Sequence, residues 1–171
     1  LDIVKGLPDG KALDMAESSP IQLSQQEIVG TTDWTVTAGS DVVIITSGVP
    51  RKPGMSRDDL LATNAGIVRD VSRRVAELSP DAAVIVVSNP LDVMVYVAGE
   101  ATGFPKNRVM GMAGALDAAR FCCFLGAELG VNVEDIQCVL MGGHGDDMVP
   151  LPRFTTVSGI PIAQFLSRER I

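Results

Sequence analysis

At 171 residues, 46% hydrophobic and 20% charged, the chain is long enough for one domain with a substantial core, or one and a fraction. Its net charge of −7 excludes the basic stripe that a nucleic-acid surface needs, although a few arginines gathered in a cleft would still receive a small anion. No apolar run reaches membrane-spanning length, so no membrane partner is expected either.

Apolar runs of strand length alternate with longer helical segments. In chain order, strands are expected at 1–4, 27–31, 41–46, 82–88, 108–112 and 136–141, and helices at roughly 10–18, 58–78, 91–102 and 115–129. Val42-Val43-Ile44-Ile45 and Val84-Ile85-Val86-Val87 are apolar without alternation, as in parallel strands buried on both faces. In the second helix Leu60, Leu61, Ile67, Val68, Val71, Val75 and Leu78 recur at helical spacing. The βαβα order predicts an α/β, doubly wound parallel sheet. Leu1 reads as the end of a strand and Ile171 falls in what reads as a helix, so an internal fragment is expected. Cys122, Cys123 and Cys138 are odd in number and lack zinc-ligand spacing. They read as small apolar core residues in a reducing compartment, which predicts a cytoplasmic protein.

In such folds ligands sit beyond the carboxyl ends of strands. The chemistry-bearing residues follow that rule. Thr46-Ser47-Gly48-Val49-Pro50-Arg51, Ser88-Asn89-Pro90 and Gly142-Gly143-His144-Gly145-Asp146 each come after an expected strand. His144 is the only histidine, hence the obvious group for proton transfer near neutral pH. Taken alone, it reads better as a residue that simply caps a turn, and the other loops shift the balance. Asp117 and Arg120 lie three apart, on one face of a helix. Asp146 and Asp147 are closer to His144 in sequence, so spacing by itself does not choose its carboxylate partner.

Four segments together resemble the lactate/malate dehydrogenase family, and within it the lactate-dehydrogenase-like group of malate dehydrogenases. They are Ile45 to Arg57, Val87-Ser88-Asn89-Pro90-Leu91-Asp92, Leu116-Asp117-Ala118-Ala119-Arg120 and Gly142 to Asp146, in family order across essentially the whole chain. The resemblance implies a Rossmann-type sheet lacking its first βα unit at 1–112, then the start of an α+β catalytic domain at 113–171. It implies hydride transfer between (S)-malate or oxaloacetate and NAD. His144 would be the general acid–base, Asp117 its orienting carboxylate, and Arg57 the residue polarising the reacting carbonyl. Arg120 would grip the C1 carboxylate through its planar guanidinium.

Arg51 would meet the second carboxylate of a dicarboxylate, which is costly to bury without a cation. Gly48, Gly54, Pro50 and Pro53 suit 48–56 to a lid. Asn89 would serve substrate and nicotinamide ribose. Asp2, Gly48, Asn64 and Val87 would contact cofactor, Asp2 through the adenosine ribose hydroxyls. No G-x-G-x-x-G occurs, so NAD follows from the resemblance and not from a fingerprint. The family also implies a homo-oligomer, dimer or tetramer, and a role in the tricarboxylic acid cycle. A lactate dehydrogenase is the nearest alternative. A non-catalytic relic of the fold is the more distant one, opposed by the joint presence of the histidine, aspartate and arginines. A metal hydrolase on His144, Asp146 and Asp147 lacks further ligands.

Overall fold

The computed structural model describes residues 1–171 except Arg51, Arg168 and Ile171, and describes Arg57 by its backbone alone. Helix α1 (Leu7–Gln22) follows a left-handed Gly6 and has Pro8 in its first turn, where the missing N–H costs nothing. Strand β1 (Val42–Ile45), helix α2 (Arg57–Leu78), strand β2 (Ala83–Val86), helix α3 (Leu91–Thr102) and strand β3 (Val109–Gly111) form a parallel sheet in the order β1-β2-β3. Helix α4 (Gly114–Leu129) leads into β4 (Ile136–Gln137), β5 (Leu140–Gly142), β6 (Met148–Pro150), β7 (Thr156–Val157) and β8 (Ile160–Pro161). These short strands make an antiparallel β4-β7-β8 sheet and a separate β5-β6 pair.

Two cores result. Ile45, Val84 and Val86 from the sheet pack on Ala65, Val68 and Val75 of α2 and on Leu91, Met94 and Ala98 of α3. Leu125, Ile136, Val157, Ile162 and Leu166 form the second. Gly111 lets α3 approach β3, since a Cβ there would stand 2.8 Å from Val95. Helix α2 starts on a capping box in which Ser56 and Asp59 satisfy each other's amides. Its buried stripe is Asn64, Ala65, Val68, Ser72 and Val75, so polar and small residues do part of what the leucines were expected to do.

The structure corrects three expectations. Residues 1–4 and 27–31 are not strands: the one main-chain bond between them runs from the Asp2 N–H to the Thr31 carbonyl, and an apolar run without a ladder stays irregular. Val42 and Ile44 are 54% and 61% exposed, so β1 is buried on one face only; α2 and α3 cover just one side of this sheet. The run 136–141 is two strands in different sheets, because Cys138 turns in to the Ala118 carbonyl and Val139 pairs outward with Leu151. Near the end, Ile162–Gln164 form a 3-10 turn, and Ile171, where a helix was expected, lies outside the described residues.

Candidate active site

The carboxyl ends of β1, β2 and β3 lie along one edge of the parallel sheet, and the loops leaving them are tied together by buried polar side chains. Asn64, on α2 and 3% exposed, accepts the Val49 N–H (2.8 Å) through Oδ1. Its Nδ2 donates to the carbonyls of Asn89 (2.8 Å) and Val49 (3.3 Å). One amide therefore joins the loop after β1 to the loop after β2. Gly48 leaves room for it: a Cβ would lie 3.3 Å from Asn64 Oδ1. Ser88 adds a second tie by donating to the Ser47 carbonyl at 2.6 Å. Val87, half-buried, continues the ladder by donating to the Ile45 carbonyl at 2.8 Å. Asn89 is exposed on this edge and precedes a cis peptide bond to Pro90.

The second group of residues comes from α4 and the β5–β6 turn. Asp117 sits in the first turn of α4 and accepts from Arg120 Nη1 at 2.9 Å. Its other oxygen lies 3.6 Å from His144 Nε2. That is ion-pair reach and longer than a hydrogen bond, so the expected hydrogen bond between carboxylate and imidazole is a looser contact. Asp117 is 15% exposed, His144 30% and Arg120 60%, a gradient from a sheltered carboxylate to an open guanidinium. The structure thus joins Asp117, and not Asp146 or Asp147, to the histidine.

The turn carrying His144 is tight: Gly142 and Gly145 have φ of +96° and +94°, and a Cβ on Gly142 would collide with the Asp147 carbonyl. The His144 N–H donates to Asp92 Oδ2 at 2.9 Å, linking this turn to α3. In the sequence Asp92 stands out only as part of a motif, with no role of its own.

Asp2 accepts the Val4 N–H in a local turn at 2.9 Å. Arg51 lies outside the described residues. Arg57 opens α2 directly after the Ser56 cap, and its side chain lies outside them as well. Cys122 and Cys138 place their sulfurs 3.0 Å apart beneath α4, and burial, then Cys122, pushes the Cys138 thiol up to about 12. No group of three or more His, Cys, Asp or Glu among the described residues is placed to hold a metal.

Residues 1–111 match the lactate/malate dehydrogenase NAD binding domain, and residues 114–170 match the alpha/beta C-terminal domain of the same family. The chain belongs to the lactate/malate dehydrogenase family. It is similar to the malate dehydrogenase of Thermomicrobium roseum, 60% identical over 171 residues, which span all of this chain and 55% of that protein. Among solved structures it is similar to malate dehydrogenase from Salinibacter ruber, with a TM-score of 0.90 at 57% identity over 99% of this chain and 53% of that one. It also resembles a lactate dehydrogenase from Cryptosporidium parvum complexed with lactic acid and nicotinamide adenine dinucleotide, with a TM-score of 0.87 at 43% identity over 99% of this chain and 54% of that one. The chain spans about half the length of the curated relatives it matches.

Within the lactate/malate dehydrogenase framework, the residues present suit part of a dinucleotide. Asn64 fills the space beside Gly48, so the two loops meet closely there, and Asn89 is exposed at the strand ends. Ser47 Oγ is buried there and has no hydrogen-bond partner among the described residues. A glycine-rich pyrophosphate cradle is not among these residues.

Proposed function

We propose that the protein containing this chain is an NAD-dependent malate dehydrogenase interconverting (S)-malate and oxaloacetate. The observation that carries the reading is Asp117, one carboxylate reaching both His144 and Arg120. In malate oxidation His144 takes the C2 hydroxyl proton, and in the reverse direction it returns it. Asp117 stabilises the imidazolium that forms. Arg120 pairs with the C1 carboxylate, and Asn89 orients the substrate oxygen at the strand ends. NAD, when bound, supplies the acceptor for the C2 hydride. Asp2 would meet its adenosine ribose, and Gly48, Val87 and Asn89 would line its nicotinamide end. The polar contacts of Asn64 are spent on backbone, so its part is to hold the Gly48 and Asn89 loops together.

Arg57 and Arg51 enter this reading through their place in the motif. Arg57 would polarise the carbonyl, and Arg51 would meet the C4 carboxylate. The division into a cofactor-binding part at 1–112 and a catalytic part at 113–171 belongs to the same proposal. So do a cytoplasmic homo-oligomer and a place in the tricarboxylic acid cycle. A lactate dehydrogenase is the second reading, favoured by the likeness to the Cryptosporidium enzyme.

Two variants of the full-length protein decide. His144→Asn should lower kcat by about 10²–10⁴-fold, the usual weight of a general acid–base, while NADH still binds. Arg51→Gln should move preference from oxaloacetate towards pyruvate. Wild-type turnover after the first change would remove the proton-transfer reading, and an unchanged ratio of the two kcat/KM values after the second would remove the dicarboxylate assignment.

A further inference from the structure

The turn around His144 has little conformational preference of its own. Glycines at 142, 143 and 145 surround it, and two of them sit at positive φ. Such a turn aims an imidazole reproducibly only if something outside it holds the backbone. The structure supplies one such hold at the histidine itself: Asp92 Oδ2 accepts the His144 N–H at 2.9 Å, across a sequence separation of 52 residues. Asp92 is well placed for this. It lies in the first turn of α3, where unpaired amides and the helix dipole favour a carboxylate, and no side chain caps that helix. Its chain neighbours Leu91 and Pro90 are fixed in turn, Leu91 in the first core and Pro90 at the helix start behind Asn89. Asp92 and His144 both line a cavity of about 270 Å³ between α3, the start of α4 and β5. Little packing therefore backs up the hydrogen bond on that side.

We propose that Asp92 is a positioning residue for proton transfer. Its carboxylate anchors the His144 backbone to the first turn of α3, so that the imidazole and Asn89 keep a fixed separation. The inference rests on reading His144 as the general acid–base. Asp92 acts through the histidine and touches neither substrate nor cofactor.

The test uses the full-length enzyme with oxaloacetate and NADH. Asp92→Ala removes the acceptor, and kcat should fall about tenfold to a hundredfold, the scale of misplacing a catalytic group by an ångström or less. KM for oxaloacetate and NADH affinity by fluorescence titration should stay near wild type. Asp92→Asn keeps an oxygen that accepts the same N–H and should recover most of the rate. If the alanine variant does not fold, Asp92→Ser carries the comparison, because it keeps a polar helix start but is too short to reach His144. A wild-type kcat in the folded alanine or serine variant would overturn the proposal, and so would an asparagine variant as slow as alanine. His144→Asn run in parallel separates the two claims. If it is inactive while Asp92→Ala is normal, only the role of Asp92 falls. If it stays active, the proton-transfer reading falls with it.

Discussion

Near the ends of β1 and β2, polar side chains are tied to main-chain atoms: Asn64 to Val49 and Asn89, Ser88 to Ser47. Between α4 and the β5–β6 turn they face one another instead, Arg120 on Asp117 and Asp117 on His144. Main-chain partners do not titrate or swing away, so the first arrangement is a platform. Ionisable partners change with a proton or an incoming anion, so the second can take part in a reaction. The supporting cores differ to match. The platform rests on a parallel sheet and two helices of 22 and 12 residues, whereas the reactive cluster rests on α4 and strands of two or three residues. The candidate site is thus divided between side chains held on the main chain and side chains that face one another.

The largest expected effect tests whether the two cores are unequal. Met94 is fully buried in the first, and Leu125 is 9% exposed in the second. Met94→Ala should cost about 2–5 kcal/mol, the range for emptying a well-packed site. Leu125→Ala should fall at or below the lower end of that range, because the smaller cluster has more room to collapse. Urea unfolding of both variants in the full-length protein reads this directly, and equal losses would break the comparison.

Next in size, Asn64→Ala should cost about 1–3 kcal/mol, since it strands the Val49 N–H and the Asn89 carbonyl in a half-buried place. Exchange of the Val49 amide with deuterium should quicken. Arg120→Ala provides the contrast: its side chain is 60% exposed, and an exposed pair contributes under about 1 kcal/mol to stability. Its activity, on the proposed reading, should nonetheless collapse. A large stability loss from Arg120→Ala, or none from Asn64→Ala, would mean that platform and reactive cluster are wrongly told apart.

The same distinction explains what was legible in the residues. Periodicity located α2, α3 and α4 to within a residue or two, because each buries an apolar stripe in a core that is present in the chain. The apolar runs at 1–4 and 27–31 carried an equally good pattern but form no ladder with described neighbours, and pattern alone does not supply a partner. Residues 136–141 read as one strand because Cys138 is apolar enough to continue the run, although its sulfur turns in towards Ala118 and Cys122. At the site, Asp117 and His144 meet across 27 positions of sequence, a pairing that the motif suggested and spacing could not. Asp92 was hidden for another reason. An aspartate in a first helical turn already has a local explanation, and only the fold shows its carboxylate engaged with a main-chain N–H 52 residues away.

The smallest effect sharpens the comparison by finding where the platform does titrate. Asp59 is exposed, and the Ser56 hydroxyl, then the Ser56 N–H, holds its carboxyl below the usual range. A lowered folded value means that the charged form binds the native state better. Its contribution is therefore fully present above the unfolded aspartate value of about 3.9 and is lost as pH falls through the lower folded value. Asp59→Asn should lower Tm by a small, constant amount from pH 7 down to about pH 5, and the gap to wild type should close as the solution is acidified further. Thermal melts of the two proteins across that range suffice. A gap that persists undiminished in strong acid would mean that the start of α2 depends on the shape of the Asp59 side chain and not on its charge. The platform would then be insensitive to protons even at its rim.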